Sequence, residues 1–293
     1  MYEVLAEKYK GGKISFQGLP GSYSQIACAT VFPEMEALPC PAFEDAFAAV
    51  RDGQAVLAMI PIDNSVAGRV ADVHHLLPNS GLHIVGEHYE EIHHHLLAVK
   101  GASLKTIRRV RSHVHAVAQC RKLIRRLKLI PLITADTAGA ASEIAKLNDP
   151  TEAALASSLA AEIYGLVPLM SNVEDAATNT TRFLIMAADP LPVKADGTPV
   201  VTSFIFRVRN VPAALYKALG GFATNGINIT KLESYLVDGG FVAAQFFAEI
   251  EGHPDNRLVG LAFDELEFFT EKIKILGTYA AAPDRFEARK RSL

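Results

Sequence analysis

Asn179, Thr180, Thr181 and Arg182 place an amide, two hydroxyls and a guanidinium in consecutive positions, directly before the apolar run Phe183 to Ala187. Such a set can grip an anion and stabilise a departing oxygen. The guanidinium pairs bidentately with a carboxylate, and hydroxyl or amide donors act where negative charge develops. A polar cluster at the mouth of a buried strand is a usual seat of chemistry in α/β proteins, because the strand fixes the backbone while the loop stays accessible. Three other junctions carry residues of the same kind. The short strand Lys13 to Gln17 breaks into Gly18-Leu19-Pro20-Gly21-Ser22 before a helical run Tyr23 to Phe32. Ser22 is the predicted N-cap, and the helix start is either an anion site or an ordinary turn. The continuous apolar strand Ala55 to Ile60 runs into Pro61-Ile62-Asp63-Asn64-Ser65. Asn64 and Ser65 thus fall at its carboxyl end, with Ser65 as N-cap of a predicted helix Val66 to Leu77. In Val110 to Cys120, Ser112 and His113 stand where a strand gives way to a helix. His113 is read either as a packed helix-start residue or as a proton relay near neutral pH.

These groups need a scaffold that brings strand ends together. Strands alternating with helices from residue 13 to about 187 predict an α/β region with mainly parallel sheets. The helices are Phe43 to Asp52 and Thr137 to Leu147; the strands include Leu82 to Glu90, Ile92 to Val99 and Leu129 to Thr134; Ala153 to Leu166 is an alanine-rich strand and helix. Two apolar blocks, about 13–90 and about 91–177, predict two lobes, with the strand of 178–190 that carries Arg182 returning to the first. Leu191 to Thr198 is a Pro/Gly linker. Beyond it the pattern is βαββαβ: strand Val201 to Arg209, helix Ala213 to Thr224 with Pro212 at its first turn, and strand Ile229 to Leu236. Turn Asp238-Gly239-Gly240, strand Phe241 to Ile250, helix Asp255 to Thr270 and strand Ile273 to Tyr279 complete it. The charged tail Pro283 to Leu293 is expected to fray.

Composition narrows the function classes. The 293 residues are 49% hydrophobic and 21% charged with a formal charge of -3, which supplies two or three cores and no broad basic field for nucleic acid. The basic run Arg121 to Lys128 reads as one helix's solvated face. Cys28, Cys40 and Cys120 form no CxxC pair, and free thiols predict a reducing, cytoplasmic setting. No apolar run reaches the roughly 20 residues of a membrane helix, and Met1 to Gly12 is too polar for a secretory signal. His93, His94 and His95 do not read as a metal site, because consecutive strand residues point to opposite faces. They read as structural or solvent-facing, as do His74 and His75.

The motifs in their order resemble the prephenate dehydratase family. Asn179-Thr180-Thr181-Arg182-Phe183 is similar to its Asn-x-Thr-Arg-Phe signature, and GLPGSYS from Gly18 to its opening G-P-x-G-T/S-F/Y-S. PIDNSVAG from Pro61 to Gly68 is similar to its P-I-E-N-S-x-x-G, with Asp63 a shortened carboxylate. Ser112-His113 and Gln119-Cys120 match a Ser-His-Pro-Gln-Ala-x-x-Gln-Cys segment in which Val114 and His115 replace Pro-Gln. The C-terminal module resembles a ferredoxin-like ACT regulatory domain. Pro212-Ala213-Ala214-Leu215 stands at its Gly-Ala-Leu, and Lys231-Leu232-Glu233-Ser234 at its Lys-Ile-Glu-Ser, with Tyr235 and Leu236 replacing Arg-Pro.

The resemblance implies a two-lobed catalytic domain of the periplasmic-binding-protein type over 13–190 and an ACT domain over 200–280. It implies conversion of prephenate to phenylpyruvate, CO2 and water in phenylalanine biosynthesis, with no metal and no cofactor. It marks Thr181 as essential, here as hydrogen-bond donor to the leaving hydroxyl, while Arg182 holds the pyruvyl carboxylate. Gly21, Ser22, Tyr23, Asn64, Ser65, Gly68, Ser112, His113, Asn179, Thr180 and Phe183 form the expected substrate-binding set. Ala213, Ala214, Leu215, Asn228, Ile229, Glu233 and Ser234 form the expected effector set. L-Phenylalanine is the implied feedback effector and a homodimer or homotetramer the implied assembly, with neither nucleic acid nor membrane as partner. With Met1 to Gly12 before the first strand, a monofunctional chain without chorismate mutase helices is expected. Arogenate, an amine in place of the side-chain ketone, is the rival substrate; a non-catalytic amino-acid sensor is the rival class.

Overall fold

The computed structural model describes residues 2–209, 211–236 and 243–285. In chain order the elements begin with α1 Tyr2–Lys8, β1 Lys13–Gln17, α2 Tyr23–Val31, β2 Glu36–Cys40, α3 Phe43–Arg51, β3 Leu57–Asn64, β4 Gly68–Arg69, α4 Ala71–Leu76 and β5 His83–Glu91. There follow β6 His95–Ala98, β7 Arg109–Ser112, α5 Val114–Gln119, α6 Arg121–Leu127, β8 Ile130–Ile133, α7 Thr137–Leu147, β9 Glu152–Ala156, α8 Ser158–Tyr164, β10 Val167–Met170 and β11 Thr180–Ala187. The last group is β12 Val200–Val208, α9 Ala214–Thr224, β13 Ile229–Leu236, β14 Ala243–Glu251, α10 Arg257–Phe269 and β15 Thr270–Ala280.

Among the described residues the strands form three sheets. The first has the order β2-β1-β3-β11-β5 with β4 against β3, the second β10-β6-β9-β7-β8, the third β13-β14-β12-β15. β1 runs parallel to β2 and β3. The second sheet is mixed: β7 is parallel to β8 and β9, and β6 is antiparallel to β9 and β10. The strand that carries Thr181 and Arg182 thus lies in the first sheet, beside β3 with Asp63 and Asn64. The chain forms two compact units, Ala6–Val70 with His88–Phe183, and Met1–Leu5 with Ala71–Glu87 and Leu184–Leu293.

In the unit of Ala6–Val70 and His88–Phe183, the apolar runs read in the sequence bury on both faces of their sheets. Leu57, Ala58, Met59 and Ile60 are all fully buried. In the second sheet the two faces separate by strict alternation: Leu96, Ala98, Ala153 and Leu155 enter one core, Leu97, Val99, Ala154 and Ala156 the other. α7 begins where the Asp136 carboxylate accepts from the Gly139 N–H at 2.6 Å, and it ends at Asn148 in the left-handed conformation.

In the other unit, α9 and α10 cover one face of the third sheet. Phe204, Phe206, Val208, Phe246, Ala248 and Ile250 form that core with Phe222 and Leu266. The first helix of this module starts one residue later than its Pro212 suggested. Ala213 takes a left-handed φ of 59° and caps α9.

Other sequence expectations change. The predicted helix Val66 to Leu77 shrinks to α4, because Ser65, Val66 and Ala67 turn β3 back into β4, where Asn64 pairs with Gly68. α1 was not expected, yet its Leu5 is fully buried. β2 was also missed; its half-exposed EALPC carries no clear alternation. The tail does not fray at its start: Arg285 donates to Glu87 at 2.8 Å and to Glu249 at 2.9 Å. The turn Asp238-Gly239-Gly240, the first two residues of the strand expected from Phe241, and residues 286–293 lie outside the described residues.

Candidate active site

Asn64 is the hub of the site. The N–H groups of Val66 and Ala67 donate to its Oδ1 at 3.0 and 2.7 Å. Gly68, with φ of 84°, closes this turn in a conformation that disfavours a side chain. The Asn64 amide nitrogen, its direction thus set, donates to Thr181 Oγ1 at 3.0 Å and to Asn179 Oδ1 at 2.8 Å. Occupying a lone pair of Thr181 Oγ1 orients the hydroxyl so that its proton is directed to another acceptor. Asn179, only 5% exposed, donates in turn to Gln119 Oε1 at 3.1 Å, and its carbonyl accepts from Ile92 at 2.7 Å.

Gln119 extends the network into the second sheet's elements. His94 Nε2 lies 2.8 Å from Gln119 Oε1, and Tyr23 Oη lies 2.7 Å from His94 Nδ1 and 2.9 Å from the His93 carbonyl. Glu174 takes the His94 N–H at 2.9 Å and meets His93 Nδ1 at 2.8 Å. Burial pushes the His94 pKa below 6.5, with Gln119 and Glu174 opposing. Burial, then the nearby Cys120 and Glu174, pushes the Tyr23 phenol well up. Burial also acts to raise Glu174, but the hydrogen bonds from His93 and from backbone N–H groups prevail and hold it below 4.5. The Cys120 thiol, buried beside these acids, is pushed up to about 12 and stays protonated.

The other expected residues divide by strand geometry. Successive side chains of a strand point to opposite faces, so Thr181 and Arg182 separate. Thr181 meets Asn64, whereas Arg182, 7% exposed, has its guanidinium 3.8 Å from the Asp63 carboxylate. Thr180 and Ser65 lock the two strand ends: the Ser65 N–H donates to the Thr180 carbonyl at 2.9 Å, and Ser65 Oγ accepts from the Thr180 N–H at 3.0 Å. Ser65 is therefore no helix cap. Phe183 is a core residue, 1% exposed.

Ser22 caps α2 as expected, accepting from Gln25 at 3.4 Å. Gly21 has φ of 90°, and a Cβ there would come within 2.7 Å of Ala160 Cα. That close approach is fastened by Ser157 Oγ on the Gly21 carbonyl at 2.5 Å and by Tyr164 on the Pro20 carbonyl at 2.9 Å. Ser112 differs from expectation. It is fully buried and donates to the Leu155 carbonyl at 2.6 Å, because it ends β7 rather than starting α5. His113 is the cap instead, accepting from the His115 N–H at 3.4 Å. Burial, then His115, lowers its pKa.

Of the expected effector residues, Ala213 caps α9, Ala214 and Leu215 pack at its start, and Ile229, Glu233 and Ser234 lie on β13. Asn228 donates to Glu251 at 2.9 Å and Glu233 accepts from Lys231 at 3.3 Å. Sequence reasoning left Gln119, His94 and Glu174 out of the site. Gln119 stood in the quoted Gln-Cys pair; His94 was readable only from alternation, since His93 is exposed, His94 buried and His95 half-buried.

A family model described as prephenate dehydratase matches residues 14–191. A bifunctional N-acyl-homoserine lactone acylase/prephenate dehydratase of Komagataeibacter europaeus is 49% identical over 272 residues, 93% of this chain and 97% of that one. Arogenate dehydratase/prephenate dehydratase 2 of Arabidopsis thaliana is 36% identical over 287 residues, 94% of this chain and 75% of the relative. The crystal structure of a prephenate dehydratase in complex with L-Phe from Arthrobacter aurescens superposes with a TM-score of 0.83 at 27% identity, covering 96% of this chain and 97% of that one. The Asn64–Thr181 centre therefore sits in an enzyme, not in a bare amino-acid sensor, and the chain belongs to the prephenate dehydratase family.

Proposed function

We propose that this enzyme converts prephenate to phenylpyruvate in L-phenylalanine biosynthesis, with Thr181 acting on the leaving hydroxyl. The bond from the ring to its carboxylate breaks and its electron pair enters the ring. The C–O bond across the ring then breaks; the departing hydroxide takes one proton and leaves as water beside CO2. The scheme requires neither a metal nor an organic cofactor. What it requires is a donor where hydroxide forms, and a positioned donor contributes ~10² to 10⁴ in rate, about 3 to 5 kcal/mol. The observation that carries the reading is the Asn64 amide on Thr181 Oγ1, which turns the threonine proton outward. The start of α2 at Gly21 and Ser22 supplies partial positive charge for a carboxylate. Arg182, paired with Asp63, adds positive potential from the other face of β11 and takes the pyruvyl carboxylate only by leaving Asp63.

The catalytic region over 13–190 is a two-lobed binding-protein-like domain, and the module over 200–280 is an ACT domain. The strand order β13-β14-β12-β15 supports the latter, being the ferredoxin-like arrangement. L-Phenylalanine binds this module through Ala213, Ala214, Leu215, Asn228, Ile229, Glu233 and Ser234, and two or four copies of the chain assemble. The L-Phe complex of the Arthrobacter aurescens relative supports the effector. Feedback follows if phenylalanine favours a state less able to close on substrate. Three buried free thiols fit a cytoplasmic setting.

The test is phenylpyruvate formation from prephenate, with and without millimolar phenylalanine, by the parent and by Thr181→Ala. Turnover that phenylalanine suppresses and the variant lacks is the expected result; a folded parent inert on prephenate overturns it. Arogenate is the second substrate to assay, because the Arabidopsis thaliana relative is named for both. An acyl-homoserine lactone is the third, on the name of the Komagataeibacter europaeus relative.

A further inference from the structure

The direction of every hydrogen bond in the site follows from two groups that cannot reverse, the backbone N–H of Val66 and of Ala67. Both donate to Asn64 Oδ1, so Asn64 Nδ2 must be the donor to Asn179 Oδ1 and to Thr181 Oγ1. Asn179 Oδ1 being an acceptor, its Nδ2 is the donor to Gln119 Oε1. Gln119 Oε1, an acceptor, faces His94 Nε2 at 2.8 Å, and only a protonated Nε2 satisfies it. In a neutral imidazole the lone pair is then on Nδ1, 2.7 Å from the Tyr23 hydroxyl. The residue is itself held, since its backbone N–H donates to Glu174 at 2.9 Å and it is 2% exposed.

We infer that His94 is a positioning residue for the dehydration: as the Nε2–H tautomer it fixes Gln119 and, through Gln119, the Asn179 amide whose oxygen shares the Asn64 amide nitrogen with Thr181. This rests on the proposed role of Thr181. His94 does not touch the reacting atoms. Without its Nε2–H, Gln119 loses the donor that holds its carbonyl toward Asn179, the Gln119 and Asn179 amides can turn, and the Asn64 amide nitrogen loses the acceptor that steadies it beside Thr181. Protonation of Nδ1 turns the Tyr23 proton wholly to the His93 carbonyl, which already lies 2.9 Å away. The groups that set this titration are Gln119 at the end of α5, Glu174 before β11, and His95 and His93 beside it, with the Tyr23 hydroxyl of α2 facing Nδ1. Burial dominates and favours the neutral ring.

Two measurements test the inference. The ¹⁵N shifts of histidine-labelled protein at pH about 7.5 are expected to show His94 protonated at Nε2 and bare at Nδ1; the opposite tautomer overturns the inference whether or not prephenate is turned over. In kinetics on prephenate, His94→Phe is expected to lower kcat roughly 10- to 100-fold with KM little changed, as loss of orientation does. His94→Gln, which restores an N–H toward Gln119, is expected to recover most of that loss. An unimpaired His94→Phe, or a Gln variant no better than Phe, overturns it. An inert parent with the Nε2–H tautomer intact instead removes the dehydratase reading.

Discussion

Two buried polar clusters, one in each compact unit, differ in kind. At the candidate active site Asn64, Asn179 and Gln119 are neutral amides joined end to end, with His94 buried beside them and its pKa lowered by burial. In the other unit Glu87 and Glu249 are both fully buried carboxylates, and the Arg285 guanidinium bridges them at 2.8 and 2.9 Å. Ser203 and Tyr279 complete that second cluster. Amides transmit direction without adding net charge, which suits a centre that must release CO2 from a dianion rather than hold its carboxylate tightly. Full charges give strong attraction but only when every partner is present, because a buried charge left alone is expensive. The first cluster is thus specialised for orientation and the second for holding its own unit together.

The sharpest way to break this comparison is to remove one member of each cluster. Thr181→Val is expected to lower kcat by ~10² to 10⁴ while stability moves by less than about 0.5 kcal/mol. Arg285→Ala removes the guanidinium shared by the buried Glu87 and Glu249 and is expected to destabilise by about 3 to 5 kcal/mol in urea unfolding. A threonine variant that unfolds, or an arginine variant of parental stability, would show that the two clusters do the same job.

The smaller clamp at Gly21 sharpens the comparison within the catalytic unit. Gly21→Ala meets both a left-handed backbone at φ of 90° and the Ala160 backbone. The strain is expected to cost about 1 to 3 kcal/mol, and activity should fall with it because the turn also carries Ser22. If kcat falls while the unfolding midpoint stays put, the turn serves orientation alone.

Legibility in the sequence followed the range of the interaction. Strands such as Leu57–Asn64 and helices such as Thr137–Leu147 were readable because burial, capping and periodicity are local, and the third sheet's βαββαβ order was readable for the same reason. Thr181, Asn64 and Asn179 could be singled out from sequence because their motifs are contiguous in the chain. Ser65 was misassigned as a helix cap, and Ser112 was expected on the substrate, because a serine before an apolar run looks the same whether its hydroxyl caps a helix, faces a ligand or meets a distant strand. Their actual partners, Thr180 and the Leu155 carbonyl, lie 115 and 43 residues away. Gln119, His94 and Arg285 escaped notice for the same reason, since each acts on residues that only the fold brings near.

The smallest expected effect is acid sensitivity, and it belongs to the site's side of the comparison. His94, His95 and His113 are each held below 6.5, in every case with burial as the leading cause. Above 6.5 both folded and unfolded chains leave these rings neutral, and they contribute no pH dependence. As pH falls below that, the unfolded chain takes up protons that the folded chain refuses, so stability declines; the decline is complete once pH passes the folded values. Glu174 acts in a second, lower window. Held below 4.5, it contributes stability above that pH and loses it as pH falls through its folded value. The urea midpoint is therefore expected to fall from about pH 6.5 downward, and to fall less steeply in His94→Gln. A midpoint that rises on acidification would mean that these histidines gain partners on protonation, and that the site cluster is held by charge after all.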